Sequence, residues 1–522
     1  MTFSTQWDHY WQKPAFYWPL LIAFAAATPL AFAPYYHFWL MPLLFGGLIR
    51  LIELRPNRAV RSAYLFGLVA YTCQFYWIHT ALHDVSGLPN LFALPLTLLL
   101  PACLACFPAA AFWLWSKLQL PRWLSIGLAL PILWTLFEFA RERVLTGFGW
   151  GALGYSQIAD NSPLAGFAPL GGIHLVTLCT AFIGAWLVLA VNPEQAKSRL
   201  RLSTFAMMLF LLAGGYLLRQ IPFTKPDSSS ATVALIQGNI PQTLKWNEEQ
   251  IRPTIQHYYD QVAQTHADLV VLPETAIPMM RQDLPDGVIA QFAKQAQINN
   301  SALAIGIAQY TDNHQGYLNA VINLADYHSE TPQQIPYYAK NHLVPFGEYI
   351  PLPQVTGWLY ELMHMPLAGF SRGGTAQAPL IMKNQQVAFN ICYEDGFGDE
   401  LIASAKQSSV LANTSNMAWY DRSNAMFQHA QQSQARALEL GRYMVRATNT
   451  GFTAIITPQG KIALSASPDT ATVLTGQIEG YHGETPYMKT GSSWPLMFIL
   501  SLIMATLFIL NRRYVASKIK IR

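Results

Sequence analysis

Charge is what this 522-residue chain has least of. Asp, Glu, Lys and Arg together make up 12% of it, about half the share of an ordinary soluble domain. The shortage is uneven: residues 1–220 are nearly all apolar, whereas the region from about 227 to 490 is ordinarily polar. That contrast implies a membrane-embedded bundle joined to a water-facing domain large enough for a core of its own. Cysteine is also scarce. Of the five, Cys73, Cys103, Cys106 and Cys179 fall in apolar segments, and Cys392 stands alone in the polar region. A lone cysteine cannot close a disulfide within its own domain, so cysteine usage leaves the compartment open. Cys103 and Cys106 form a C-x-x-C inside an apolar helix without histidines, which reads as helix packing. Metal-ligand spacings are missing: the histidines are scattered, with no His-Glu-x-x-His and no Cys–His pairing, so neither a metal nor a cofactor is expected. The net charge of +4 is small and its basic residues sit in short loops and at the C-terminus, which leaves no nucleic-acid footprint. There is no internal repeat.

A membrane span needs about 20 apolar residues. Candidates are 16–33, 36–52, 63–82, 91–116, 122–140, 167–191, 202–220 and 494–510, about eight spans in all. Lys13 before a run ending Ala31-Phe32-Ala33 resembles a signal peptide, but the second run begins almost at once, so an uncleaved first span is expected. Arg50, Arg55, Arg58 and Arg61, then Lys117 and Arg122, then Lys197, Arg199 and Arg201, and finally Arg512, Arg513, Lys518, Lys520 and Arg522 mark alternate loops and the tail. Basic loops favour the cytoplasm, so both termini are expected inside and the polar domain outside. After the fifth span come Glu138, Arg141, Thr146-Gly147-Phe148-Gly149-Trp150 and Gly154-Tyr155-Ser156. Glu138 and Arg141 are three apart and could pair on a helix, or the loop could handle lipid; the residues leave both open. His79 and His83 read as interfacial.

The polar region reads as alternating strands and helices. Strands are expected at 231–237, 267–272, 302–308, 318–325, 386–391 and 408–412, with helices near 247–265, 286–298 and 425–440 and further strands between 443 and 477. Such alternation followed by strands argues for a layered α/β domain. Three segments within it carry chemistry. The run 269–272 is a buried strand stopped by Pro273, leaving Glu274 at the rim. Lys340 follows the aromatic pair Tyr337-Tyr338, and Glu348 follows a glycine in Lys340-Asn341-His342-Leu343-Val344-Pro345-Phe346-Gly347-Glu348-Tyr349. Cys392 ends the strand-like Val387-Ala388-Phe389-Asn390-Ile391 and precedes Tyr393-Glu394-Asp395-Gly396. A thiol at a strand end beside acidic residues suits a presented nucleophile, although each segment alone is also compatible with packing or solvation.

Together the three segments resemble the nitrilase, or carbon–nitrogen hydrolase, superfamily, whose triad is Glu, Lys and Cys in that chain order. The run after Lys340 is similar to a narrower membrane-bound branch, the apolipoprotein N-acyltransferases. Gln237-Gly238-Asn239-Ile240-Pro241-Gln242 with Lys245-Trp246, Arg436-Ala437-Leu438-Glu439, Thr448-Asn449-Thr450-Gly451 and the 146–156 loop resemble that branch as well. The resemblance implies a multi-pass α-helical membrane bundle (1–226), a nitrilase-like αββα sandwich on the periplasmic face (227–490), and a last span with a basic cytoplasmic tail (491–522) in the bacterial inner membrane. It implies a ping-pong acyl transfer. A phospholipid, typically phosphatidylethanolamine, acylates Cys392 as a thioester, and the α-amine of a diacylglyceryl-modified N-terminal cysteine of an apolipoprotein receives the chain. Glu274, Lys340 and Cys392 are the implied catalytic residues, with Glu348, Tyr393 and Glu394 in support and Trp246, Trp419 and Trp150 at substrate. Two positions depart from the branch: Gly149 replaces its usual proline, and Met417 replaces an aspartate in Asn416-Met417-Ala418-Trp419-Tyr420-Asp421. Nothing demands more than a monomer. The competing readings are a membrane-tethered nitrilase-type amidase and a receptor or transporter with an outer ligand-binding domain.

Overall fold

The computed structural model describes residues 11–191, 198–327, 334–354, 357 and 369–521. They form two compact units. One takes residues up to 76, 91–221 and those from 492; the other takes Trp77–Asn90 and Pro222–Gly491. Of the basic residues that set the expected orientation, Lys197 and Arg522 lie outside the described residues, as do the side chains of Arg199, Lys518 and Lys520.

The first unit is helical. Among the described residues, six helical stretches are long and apolar enough to cross a membrane: Pro14–Ala31, Asn90–Ser116, Arg122–Arg143, Pro163–Val191, Arg201–Leu218 and Trp494–Ala516. Two further apolar helices, Leu40–Leu54 and Ala59–Gln74, have 15 and 16 residues. The expected span 63–82 is therefore too long at its C-terminal end. Residues 77–90 belong to the other unit and form a short helix, Ile78–Thr80, and a π-turn, Ala81–Val85. The cause is their polarity. His79 Nε2 lies 2.8 Å from Asn90 Oδ1, and His83 Nδ1 lies 2.8 Å from the Leu88 carbonyl, partners that hydrocarbon does not supply.

Glu138 and Arg141 divide their bonds over the following loop. Both Glu138 carboxylate oxygens accept from the Leu153 N–H, at 3.1 and 3.0 Å, and Oε2 also accepts from the Thr177 hydroxyl at 3.3 Å. Arg141 Nη1 donates to the Phe148 and Trp150 carbonyls at 2.7 and 2.8 Å, and its guanidinium lies over the Tyr71 ring. The two charged groups thus pin the glycine-rich loop to its helix, and Trp150 is buried there.

The second unit is a sandwich. Its strands are β1 Lys225–Gln237, β2 Leu269–Val271, β3 Ile277–Met280, β4 Ala302–Tyr310, β5 Tyr317–Asn323, β6 Tyr337–Ala339, β7 Leu380–Met382, β8 Gln385–Ile391, β9 Val410–Ser415, β10 Tyr443–Thr448, β11 Ala454–Ile456, β12 Ile462–Ser465 and β13 Thr472–His482. One sheet runs β13-β1-β2-β4-β5-β6 with β3 beside β4; the other runs β12-β11-β10-β9-β8-β7. β1, β2 and β4 are parallel, as are β8, β9 and β10. Alternation assigns the faces. Val233 and Leu235 of β1 pack between the sheets with Phe389, Ile391, Ala412 and Val445. Ala234 and Ile236 turn outward onto Tyr258 and Val262 of the helix Glu248–Gln264 and onto Phe292 of the helix Val288–Ile298. The far face of the second sheet packs on Leu401 and Ile402 of the helix Gly398–Ala405 and on Ala437 and Leu440 of the helix Ala425–Leu440. The layers are therefore α, β, β, α, as the resemblance implies. β3 was not expected, and the helix from Glu248 passes through Pro253 without a break.

Candidate active site

Parallel strands present functional side chains at their C-terminal ends. β2 leads at once into Leu272-Pro273-Glu274, and β8 into Cys392. Each delivery ends in a bent backbone: Thr275 has φ +44° and Cys392 has φ +53°, positions that side-chain-bearing residues seldom occupy without a reason. The Glu274 turn lies flat across β4 because residue 306 is glycine; a Cβ there would sit 2.1 Å from the Pro273 carbonyl oxygen.

Lys340 comes in from β6, whose pairing with β5 extends by one bond from the Lys340 N–H to the Asn319 carbonyl, 2.8 Å. Its ammonium is 2.9 Å from Glu348 Oε1 and 3.6 Å from Glu274 Oε1. Asn319, on β5, ties the two carboxylates together, its Nδ2 donating to Glu274 Oε1 at 2.7 Å and to Glu348 Oε1 at 3.0 Å. The remaining oxygens accept from main-chain N–H groups, Glu274 Oε2 from Asn416 at 2.9 Å and Glu348 Oε2 from Val344 at 2.7 Å. All three side chains are buried. Burial works against the Lys340 charge, but Glu348 and Glu274, with the neighbouring Cys392, outweigh it and hold the ammonium above its usual range. The partly exposed Cys392 thiol is pushed up to about 12, first by the surrounding bulk and next by the Glu274 carboxylate; Lys340 opposes the shift. At neutral pH Cys392 is thus a thiol, with the Glu274 and Lys340 side chains close by.

Glu394 fastens this thiol to the lysine loop. Its Oε2 accepts from the Ile391 N–H at 2.6 Å and the Tyr338 hydroxyl at 2.9 Å; its Oε1 accepts from the Asn341 and His342 N–H groups at 2.6 and 3.0 Å. Burial nevertheless raises its carboxyl to about 7 against these donors. The Tyr393 ring lies edge-on to Phe397 and His342.

Trp246 and Trp419 are half-buried on two segments that bond to Glu274 through Lys245 and Asn416. Asn416 Nδ2 donates to Gln242 Oε1 at 2.8 Å, joining the 416–421 loop to the turn Gln242–Lys245. Tyr420 of that loop stands edge-on to Trp77, ring centroids 4.6 Å apart. Met417 is buried against Gly451, an apolar anchor where the resembled branch usually has an aspartate. Trp150 belongs to the helical unit.

Several residues of this site escaped sequence reasoning as site members. Lys245 is buried, its Nζ donates to the Glu274 carbonyl at 3.2 Å and to the Thr275 hydroxyl, and burial lowers it to about 8 despite Glu274. Asn319 gave a signal in principle, as a polar residue in a strand otherwise reading as core. His429, Asn413 and Arg446 gave one too, as polar residues of nearly fully buried elements.

Residues 232–487 match the carbon–nitrogen hydrolase family, and residues 24–186 match the N-terminal domain of apolipoprotein N-acyltransferase. Over 506 residues, covering 97% of this chain and 99% of the relative, the sequence is 69% identical to the apolipoprotein N-acyltransferase of Neisseria meningitidis serogroup B. It is 50% identical to that of Chromobacterium violaceum over 91% of this chain and 90% of the relative, and 35% identical to that of Vibrio cholerae over 95% and 97%.

Proposed function

Because the chain belongs to the apolipoprotein N-acyltransferase family, we propose that it moves a fatty acyl chain from a membrane phospholipid to the N-terminal amine of a lipid-modified apolipoprotein. The observation that carries this reading is the Lys340 ammonium between Glu348 and Glu274, beside a thiol raised on a left-handed backbone turn. Such a set suits acyl transfer through a covalent intermediate.

In the first half-reaction Glu274 takes the thiol proton as sulfur attacks the ester carbonyl. Negative charge moves to the carbonyl oxygen, where Lys340 and the Tyr393 N–H stabilise it. Collapse breaks the ester C–O bond, and the leaving lysophospholipid alkoxide takes the proton from Glu274. The thioester on Cys392 remains. In the second half-reaction the α-amine of the diacylglyceryl cysteine attacks the thioester carbonyl, Glu274 accepts its proton, and collapse breaks the C–S bond, the expelled thiolate taking that proton back from Glu274. Glu348 and Glu394 hold Lys340 and the Cys392 turn in register; Trp246, Trp419 and Trp150 are the proposed substrate-binding residues. Phosphatidylethanolamine is the proposed donor. The proposed setting is the inner membrane, with about eight spans, both termini cytoplasmic, a monomeric chain and residues 227–490 in the periplasm.

The test is the intact mass of the purified protein after incubation with phosphatidylethanolamine and no acceptor, beside Cys392→Ala. The expected result is a fatty-acyl mass gain that neutral hydroxylamine removes and the variant lacks. If neither a gain nor released fatty acid is seen, phospholipid is not the donor and a membrane-tethered amidase becomes the better reading.

A further inference from the structure

Behind the nucleophile lies a buried polar chain that takes no part in the proton transfers proposed above. His429, from the middle of the helix Ala425–Leu440, has Nε2 2.8 Å from the Cys392 carbonyl oxygen. Its Nδ1 is 2.6 Å from Arg446 Nη2 on β10. A guanidinium can only donate, so Nδ1 must accept, and the imidazole proton is fixed on Nε2, where it donates to the Cys392 carbonyl. The arginine is itself held. Its Nη1 donates to Asn413 at 2.7 Å, Ser433 at 3.0 Å and Asp395 at 3.3 Å, and its Nε donates to the Phe452 carbonyl at 3.1 Å. Asn413 Nδ2 adds a longer bond to the Cys392 carbonyl at 3.3 Å. His429, Arg446 and Asp395 are all fully buried. Burial and the Arg446 charge hold the imidazole neutral, well below its usual range.

Peptide planarity links this clamp to the reacting centre. In a trans peptide the carbonyl of one residue and the N–H of the next point in opposite directions. The carbonyl of Cys392 and the N–H of Tyr393 are two ends of one such plane, so fixing the first fixes the second. Cys392 has φ +53°, a conformation with few intrinsic reasons to persist. We infer that His429 is a positioning residue for the oxyanion pocket: clamped in one tautomer by Arg446, it holds the Cys392 carbonyl inward and thereby aims the Tyr393 N–H at the oxygen that gains charge. This inference rests on the acyl-transfer reading, and the two fail differently.

The experiment compares wild type with His429→Leu, His429→Asn and His429→Gln in the full-length protein. Asparagine can still accept from Arg446 but is too short to reach the Cys392 carbonyl; glutamine can do both. Two rates are measured on each: thioester formation from phosphatidylethanolamine in a single turnover, and alkylation of Cys392 by iodoacetamide, which forms no oxyanion. Losing an aimed oxyanion donor costs about 100-fold or more in comparable sites. The Leu and Asn variants are therefore expected to acylate about 100-fold slower yet alkylate within a few-fold of wild type, with Gln recovering most of the acylation rate. Near-wild-type acylation by Asn overturns the inference. So does equal loss of both rates in Asn, which makes His429 merely structural. If the Leu variant does not fold, Asn against Gln decides. A wild-type protein that alkylates at Cys392 but forms no thioester overturns the acyl-transfer reading itself, and that failure shows before any variant is made.

Discussion

Replacing Glu394 with glutamine sets two opposed effects against each other. The carboxylate accepts four hydrogen bonds, from the Ile391, Asn341 and His342 N–H groups and the Tyr338 hydroxyl. Donors favour the ionised form; burial disfavours it. Burial wins, lifting the group from an ordinary 4.5 to about 7. A folded-state value above the unfolded one means the stabilising contribution is complete below pH 4.5 and disappears as pH rises through 7. At about 1.4 kcal/mol per unit, the part lost between pH 5.5 and 8 is on the order of 2 kcal/mol. Glutamine does not titrate and has one acceptor oxygen. Its best placement keeps that oxygen on Asn341 and His342 and turns the amide N–H toward the Tyr338 oxygen, which leaves the Ile391 N–H facing an N–H. One buried donor without an acceptor costs about 1–3 kcal/mol.

The expectation for Glu394→Gln is therefore destabilisation of about 1–3 kcal/mol at pH 8 that grows by roughly 2 kcal/mol at pH 5.5. Thermal midpoints of both proteins in the same detergent, taken across that range, measure it; other titrating groups are shared and cancel. A gap that widens with rising pH would mean that the four donors outweigh burial, the reverse of the balance derived for this carboxyl.

Three further outcomes are expected. With the Cys392 thiol pushed up to about 12, its alkylation by a small neutral reagent should rise roughly tenfold per pH unit from 7 to 9.5, and a plateau below pH 9 would refute a resting thiol. Lys245→Met removes the donor to the Glu274 carbonyl and the Thr275 hydroxyl; charged hydrogen bonds of about 1.5–3 kcal/mol are at stake, so thioester formation should slow tenfold or more. An unchanged rate would show that the Glu274 turn holds without it. Trp77→Ala empties a buried site against Tyr420 and should cost about 3–5 kcal/mol, read as a lower thermal midpoint; no shift would refute the packing of residues 77–90 into the catalytic unit.

The fold was largely legible because its two periodicities are strong. Long apolar runs mark the helical unit, and the in-out alternation of β1 and the apolar run of β2 mark the sandwich core. What misled was the 63–82 run, where Phe75, Tyr76 and Trp77 kept hydropathy high past the helix end at Gln74 while His79, His83 and Asn90 were building a local polar network. β3 is a four-residue strand whose pairing depends wholly on β4, so no local signal announces it. Within the site, Glu274, Lys340 and Cys392 were readable as a set only through the resemblance of the motifs around them to the nitrilase superfamily. Glu348, Tyr393 and Glu394 came with that resemblance, but other residues that bond to the site did not. Asn319, Asn413 and His429 act through distant partners, and a polar residue in a buried element says only that a partner exists, not which one. Glu138 and Arg141 show the same limit: their separation suggested a pair, and each instead bonds to the loop behind it.

The charges around Cys392 also account for a thiol held neutral in a site proposed to use it as a nucleophile. Lys340 is paired with both Glu274 and Glu348, and Lys245, bonded to the Glu274 main-chain carbonyl, adds a second basic group whose charge Glu274 favours. A resting thiolate would add an uncompensated buried charge, which is costly; hence the push to about 12. Moving the thiol proton to Glu274 during attack leaves the net charge unchanged, and the charge that leaves Glu274 passes through sulfur to the carbonyl oxygen. No step of the proposed reaction buries an extra charge, provided an ester carbonyl is present to receive it. Without one, the proton has little reason to leave. Thiolates are the form that oxidants attack, and this domain has no second cysteine with which to form a recoverable disulfide. In the proposed periplasmic setting, a nucleophile that becomes anionic only against a seated ester is protected by the same electrostatics that activate it.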